Sequence, residues 1–366
     1  MDRTGQELAL AVVVPVLNEA ANVAPLRTRL AAALADIPHE VIFVDDGSAD
    51  GTQGAVEALA LGDPATRLIR RHGRRGLSSA VVEGMCATVA PVVAVIDGDL
   101  QHDETILPAL YRAIAMDGAE LAVGTRYAAG GSTGAWDPRR AAISRYATRL
   151  AAPVMKTRLS DPLSGFFAIR RDVLLGLVPR LSLVGYKLLL DIVASAGRPL
   201  DLAEVPYTFA ERSAGESKLD SAVAMDYVEL LVEKTVGRWI PAKLVLFSAV
   251  GSTGVIVHMA VLALLGMLGA DFTAAQAGAV GAAMVYNFTL NNRLTYRDRR
   301  LTGAAWWTGL ASFIVLCSIG AFANVGVGSF IYDLSGGGWV LGGLAGIAVG
   351  TVWNFVATSW LTWRRR

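Results

Sequence analysis

Three things are scarce in this chain. Only two of its 366 residues are cysteine, Cys86 and Cys317, far apart and in unlike surroundings. That excludes a disulfide scaffold and fits a reducing compartment for the front of the chain. Charged residues make up 18%, against about 25% in ordinary soluble domains. No sign of charge dominates, since 33 Lys and Arg meet 32 Asp and Glu, so a basic nucleic-acid binder is excluded. With 53% hydrophobic residues and a mean hydropathy of +0.45, a disordered chain is excluded as well.

The scarcity of charge is concentrated at one end. Residues 244–366 hold seven of the Lys and Arg and three of the Asp and Glu, which leaves 26 and 29 in residues 1–243. The front is therefore a slightly acidic domain. The back has four uncharged runs, Leu244–Ala270, Phe272–Asn292, Leu301–Tyr332 and Leu334–Trp363. Each reaches the roughly 20 apolar residues that cross about 30 Å of hydrocarbon as a helix. Four transmembrane helices are expected, near 244–268, 273–293, 305–329 and 340–362. All seven basic residues past 243 (Arg293, Arg297, Arg299, Arg300 and Arg364, Arg365, Arg366) fall at one side, and the opposite loops carry only Asp271 and Asp333. The Arg-rich side is expected to be cytosolic, with the front domain and the C-terminus on it. The early apolar run Leu8–Leu17 follows Glu7 and reads as a buried strand rather than a signal peptide.

The membrane half repeats itself. Tyr286-Asn287-Phe288 and Leu294-Thr295-Tyr296-Arg297 return 67 residues later as Trp353-Asn354-Phe355 and Leu361-Thr362-Trp363-Arg364, and Phe247, Gly254 and His258 match Phe313, Gly320 and Asn324 at an offset of 66. Two similar helical hairpins are expected. Their aromatic–Arg ends read as interfacial anchors, and His258, Asn287 and Asn354 as hydrogen-bonding groups between helices. Before the first span, residues 221–243 read as an interfacial amphipathic linker helix, or equally as a last helix packed on the front domain.

The front half alternates strands and helices. Leu8–Pro15, Glu40–Val44, Arg67–Ile69, Val92–Ile96 and Glu120–Val123 are short, apolar and rich in Val and Ile. Helical stretches lie near 20–35, 52–61, 77–89 and 104–116. That order predicts an α/β domain, Rossmann-like, with a mostly parallel sheet covered by helices. Ligands bind beyond the carboxyl ends of such strands, and three polar loops stand there: Pro15-Val16-Leu17-Asn18-Glu19, Asp45-Asp46-Gly47-Ser48 and Asp97-Gly98-Asp99-Leu100-Gln101. In an extended segment Asp97, Asp99 and Gln101 would point one way. Two carboxylates and an amide oxygen are hard ligands suited to Mg²⁺ or Mn²⁺, which complete their shells with phosphate and water. Gly98 would let a ligand approach the backbone. Asp45 and Asp46 read either as a turn with a helix cap or as acceptors for a base or ribose.

These segments resemble the inverting glycosyltransferases that load a sugar onto a polyprenyl phosphate, the dolichyl-phosphate mannose synthase type, whose catalytic domain has the GT-A fold. The resemblance rests on Val14–Glu19, Val44–Thr52, Arg75–Ala80, Asp97–His102, Asp161-Pro162-Leu163-Ser164-Gly165-Phe166-Phe167, Gly185-Tyr186-Lys187, Glu204–Phe209 and Arg212–Leu219, in order over about residues 9–220. The back resembles the four-helix GtrA-like domain through Phe247–Gly251 and Tyr286–Phe288. The resemblance implies domains at 1–220, 221–243 and 244–366. It implies that Pro15, Leu17, Asn18, Glu19, Val44 and Asp46 line a nucleoside pocket, and that Asp97, Asp99 and Gln101, with Gly98 between them, hold the metal and donor diphosphate. It places Arg126 at the acceptor or donor phosphates, Arg140 or its neighbour Arg139, and Ser144, at the acceptor phosphate, and Arg212 and Lys218 on a loop closing over the phosphates. The implied reaction takes mannose from GDP-mannose to a polyprenyl or dolichyl phosphate in a bacterial or archaeal cell membrane. Glucosyl transfer from UDP-glucose, and a lipid-linked-sugar flippase with a nucleotide-sugar-binding front, are the alternatives. A processive polysaccharide synthase fits poorly, because Thr235 stands where its Gln-x-x-Arg-Trp element needs Gln before Arg238-Trp239.

Overall fold

The structure is a computed structural model that describes residues 7–73, 76–132, 134, 138–183, 185–210, 221–237, 239–336 and 338–364. It separates into two compact units, Met1–Thr235 and Val236–Arg366.

The first unit is built on seven strands: β1 Leu10–Val16, β2 His39–Asp45, β3 Thr66–Arg70, β4 Val92–Val95, β5 Leu121–Thr125, β6 Phe167–Arg170 and β7 Leu202–Pro206, in the spatial order β3-β2-β1-β4-β6-β5-β7. The first five are the expected strands. β6 and β7 were not, and β6 alone runs antiparallel to its neighbours β4 and β5. Alternation along β1 explains the two faces of the sheet. Leu10, Val12, Val14 and Val16 point to one side, where α1 (Ala20–Ala33), α2 (Thr52–Gly62) and α4 (Leu107–Ala115) contribute Val23, Leu26, Val56 and Leu110. Ala11 and Val13 point to the other, against α3 (Leu77–Cys86) and the later helices α6 (Arg171–Leu177) and α7 (Leu188–Ser195). Burying Val, Ile and Leu side chains on both faces supplies about 1.5–3 kcal/mol for each one withdrawn from water. α3 lies so close that a Cβ at Gly84 would come within 2.6 Å of Val13 and 2.8 Å of Val44, so only glycine fits there.

Pro15 is tolerated in a central strand for a local reason. The Val13 carbonyl accepts from the Ile96 amide at 3.2 Å, so Pro15, two residues on, faces the same side. The β1–β4 pairing ends at Val13 with Val95, and the missing N–H of Pro15 costs no ladder bond.

α5 (Pro138–Ala151) follows β5, and α8 (Ser221–Val236) closes the unit. Of the two readings of 221–243, α8 has contacts that fit the last helix packed on the front domain. α8 is docked, with Leu230 buried against Ala151 and Leu190. Lys234 Nζ meets Asp191 Oδ1 at 2.6 Å and Ser195 Oγ at 2.8 Å. A lysine with such partners beneath its helix holds that face down on the domain.

The second unit consists of α9 (Ala242–Met267), α10 (Phe272–Arg293), α11 (Ala304–Leu334) and α12 (Trp339–Leu361). α9, α11 and α12 are long and apolar enough to cross a membrane. α10 has the length, but Gln276, Asn287, Asn291 and Asn292 make it more polar. The repeat takes physical form at two crossings. A Cβ on Gly254 of α9 would stand 2.2 Å from Asn287 Oδ1 of α10, and one on Gly320 of α11 would stand 2.0 Å from Asn354 Oδ1 of α12. Each asparagine therefore packs on a bare glycine backbone, the close approach that small residues allow between membrane helices. Neither Oδ1 has a hydrogen-bond partner among the described residues.

The aromatic ends are not lipid-facing anchors either. Trp363 is fully buried and stacks on Tyr296 with centroids 4.0 Å apart and rings 7° from parallel. Its Nε1 donates to Asn292 Oδ1 at 3.0 Å, and Tyr296 Oη lies 2.6 Å from Ser359 Oγ. The matching ends of the two repeats thus meet as one buried pair. Lys243 at the start of α9 binds Asp298 at 2.9 Å, and Arg299 donates to the Trp363 carbonyl. The start of α9, the α10–α11 connection and the end of α12 accordingly share one end of this unit.

Candidate active site

Parallel β1, β2 and β4 deliver their carboxyl ends to one rim. The reversed β6 delivers its amino end there as well. Val95 pairs with Phe167, so continuing the register sets Gly165 beside Asp97. A Cβ at Gly165 would lie 3.0 Å from Asp97 Oδ2. On the far side, β5 pairs with β7 so that Thr125 faces Pro206, which brings Tyr207 next to Arg126.

The Asp97–Gln101 segment is a turn, not the extended stretch expected. Leu100 adopts a φ of 61°, and the Gln101 amide donates to Asp99 Oδ1 at 3.2 Å. Asp97 and Asp99 both stay partly exposed at the rim. Gln101 is buried, and its Nε2 donates to the Ala210 carbonyl at 3.1 Å. Gly98 also packs closely, because its Cβ would meet Val16 at 3.1 Å and the Pro15 carbonyl at 3.4 Å. His102 Nε2 lies 3.1 Å from Asp97 Oδ2, and His102 Nδ1 lies 2.8 Å from the Tyr207 hydroxyl. Burial by itself would raise the Asp97 pKa, but the hydrogen bond from His102 and the positive Lys187 and Arg126 outweigh it and hold the carboxyl below its ordinary range. Burial pushes the Tyr207 hydroxyl well above the usual phenol value, so it stays protonated.

The acidic pair after β2 has internal partners. Arg71 Nη1 donates to Asp46 Oδ1, and the Gly76 amide donates to Asp46 Oδ2 at 2.8 Å. The Asp45 carboxylate accepts from the amides of Gly47 at 3.1 Å and Ser48 at 3.2 Å, and from Gln53 Nε2 at 2.5 Å. Burial would raise the Asp45 pKa, and these donors, Ser48 and Gln53 first, overcome it and lower it. Both oxygens of Asp46 thus have one internal donor each, which fixes the carboxylate at the rim while leaving it further acceptor capacity. Val44, near the end of β2, has its side chain fully buried in the core under α3. Asn18, at a φ of 59°, spends its side chain on the Ala49 amide at 2.9 Å. The Glu19 amide donates to Thr52 Oγ1 at 2.9 Å, so the first and second loops are stapled together. Pro15 is buried, while Leu17 and Glu19 remain partly exposed at the rim.

Arg126 departs furthest from expectation. Its Nε and Nη2 donate to the two oxygens of Asp161 at 2.7 and 2.8 Å, with Arg126 8% and Asp161 0% exposed. A bidentate pair of this kind is held by geometry as much as by charge. The guanidinium is thus held rigidly under the Asp161–Phe167 segment, through Nε and Nη2. Ser144 sits on α5 and accepts from the Tyr127 hydroxyl at 2.9 Å. Arg139 and Arg140 lie in the first turn of α5, and their side chains fall outside the described residues, as do Arg212 and Lys218 altogether.

Arg71, His102 and Tyr207 received no role from the sequence. Arg71 is legible in hindsight, since it follows β3 as the other loops follow their strands. His102 and Tyr207 stood in quoted motifs 105 residues apart, and nothing local pairs them.

Residues 11–176 match the model of glycosyl transferase family 2, and residues 246–363 match that of the GtrA/DPMS transmembrane domain. The dolichol-phosphate mannosyltransferase of Pyrococcus furiosus is 32% identical over 97% of this chain and 99% of its own. The chain belongs to the dolichol-phosphate mannosyltransferase family. The Saccharomyces cerevisiae member is 38% identical over 64% of this chain and 90% of its own. A looser overlay, at a TM-score of 0.45 and 21% identity, covers 63% of this chain and 81% of glucosyl-3-phosphoglycerate synthase from Mycobacterium tuberculosis. This family member is a glycosyltransferase with a membrane domain, and the rim described above is its candidate active site.

Proposed function

We propose that this glycosyltransferase moves mannose, with inversion, from GDP-mannose to a polyprenyl (dolichyl) phosphate held in a membrane. The observation that carries the reading is its relationship to a dolichol-phosphate mannosyltransferase along nearly the whole chain, both units included. The rim supports it chemically. Asp97 and Asp99 fit a divalent cation, Mg²⁺ or Mn²⁺, because they offer hard oxygens, and the bare Gly165 leaves room beside Asp97. When bound, such an ion neutralises charge on the departing nucleoside diphosphate.

The residues of the chain have other tasks. The acceptor is a phosphate monoester, whose second pKa of about 6, as in phosphoserine, leaves it largely ionised at neutral pH. It needs no general base. It needs placement against a second anionic group, which arginine provides through its planar fork. Arg139, Arg140 and Ser144 on α5 would receive the lipid phosphate, and Arg212 and Lys218 would cover the donor phosphates. Gln101, tied to Ala210, would fix the turn between them. Leu17 and Glu19 would flank the nucleoside. The four helices of the second unit would span the membrane with the Arg-bearing end in the cytosol.

The test uses purified full-length protein in liposomes containing a polyprenyl phosphate, given radiolabelled GDP-mannose, UDP-glucose or UDP-galactose, with and without EDTA. Label should enter lipid from GDP-mannose alone, and EDTA should stop it. Labelled lipid from UDP-glucose would replace the sugar in this reading, and transfer indifferent to EDTA would remove the metal.

A further inference from the structure

His102 is a buried imidazole, 4% exposed, with both ring nitrogens occupied. Nε2 faces Asp97 Oδ2 at 3.1 Å and Nδ1 faces the Tyr207 hydroxyl at 2.8 Å. Three rings enclose it, Phe166 at 5.1 Å, Tyr207 at 5.6 Å and Phe209 at 5.3 Å between centroids. The proton arrangement follows from the partners. A carboxylate only accepts, so Nε2 must carry the hydrogen toward Asp97. In the neutral ring Nδ1 is then a lone pair, which must receive the Tyr207 O–H. For the neutral ring the chain of donors therefore runs from Tyr207 to His102 to Asp97. The chain ends on Oδ2. Asp97 Oδ1 has no hydrogen-bond donor among the described residues, and Gly165 crowds neither oxygen.

We propose that His102 is a positioning residue for Asp97, and that Tyr207 fixes the tautomer that lets it act. The relay pins Oδ2 and so presents Oδ1 at the rim as the oxygen that meets a divalent cation. This rests on the reading of Asp97 as a metal ligand and deepens it. Hydrogen-bonded partners that orient ligands typically change metal affinity by about 10–100-fold when removed.

The experiment is Mn²⁺ binding to purified full-length protein with GDP present, followed by electron paramagnetic resonance. It compares wild type, Tyr207→Phe, His102→Gln and Asp97→Asn. Tyr207→Phe keeps the ring contacts and deletes only the hydroxyl. It should weaken Mn²⁺ binding by about tenfold, and His102→Gln by at least as much. Transfer by Tyr207→Phe should recover when Mn²⁺ is raised by the same factor, with the KM for the nucleotide sugar unchanged at saturating Mn²⁺. If Asp97→Asn loses Mn²⁺ while Tyr207→Phe and His102→Gln bind it as wild type does, the cage is mere packing and the positioning role is overturned. If Asp97→Asn binds Mn²⁺ as wild type does, the metal reading falls and this role falls with it.

Discussion

Replacing Asp161 by Asn tests whether Arg126 is a strut. The change keeps shape and one acceptor oxygen, but it removes the charge and sets an amide N–H₂ against a guanidinium nitrogen. Arg126 Nε and Nη2 now bond two oxygens at 2.7 and 2.8 Å, with Asp161 fully buried. Breaking one side of such a pair leaves a buried charge without its counter-ion, which costs about 3–5 kcal/mol. At about 2–4 °C per kcal/mol for a unit of this size, Asp161→Asn should melt about 10 °C below wild type in a thermal scan of the detergent-solubilised protein. The double variant Arg126→Met/Asp161→Leu should recover most of that loss, because removing both charges also removes their desolvation. A single variant melting within about one degree of wild type would refute the reasoning, since Arg126 would then draw its compensation from another anion.

Four further outcomes follow from the same geometry. Gly165→Ala would drive a methyl to 3.0 Å from Asp97 Oδ2; the carboxylate must then give by a few tenths of an ångström, so transfer should fall by less than the roughly 100-fold that a 1 Å misplacement costs, with the melting temperature kept, and normal turnover would separate Gly165 from the site. Asp99→Ala should abolish EDTA-sensitive transfer without unfolding the chain, and retained activity would take Asp99 out of the metal shell. The folded Asp45 carboxyl has a lowered pKa, so its stabilisation is present above the unfolded value of about 3.9 and fades as pH falls through the folded one. The gap between melts of wild type and Asp45→Asn should therefore be widest near neutrality and close below about pH 4, whereas a gap that ignores pH would contradict the assignment. Gly320→Leu would collide with Asn354 Oδ1, 2.0 Å from the new Cβ, and should destabilise α11–α12 by about 1–3 kcal/mol in detergent melts. Asn354→Ala on top of it should restore part of the loss.

Much of the molecule was legible before any coordinates, and for a common reason. Five of the seven strands, the helices between them, the apolar helices of the second unit and the three polar loops on one rim are all local signals. Periodicity, turn residues and charge-free length act over a few residues and can be read in line. The strands that were missed are those that local pattern describes worst. β6 (Phe-Ala-Ile-Arg) lacks the Val-rich run that marks the equally short β4, and β7 is mostly partly buried rather than strongly apolar.

What a side chain does once it arrives was decided by tertiary structure. Arg126 is one more arginine in line and is fixed in place because the fold sets Asp161 against it. Tyr296 and Trp363 look like anchors and become each other's partner because two hairpins close on one end. His102 and Tyr207 join only because β6 turns back beside β4 and β7 runs alongside β5. Composition and spacing state which groups a chain owns; hydrogen-bond register across distant strands settles which of them those groups will spend on one another, and which remain at the rim for a ligand.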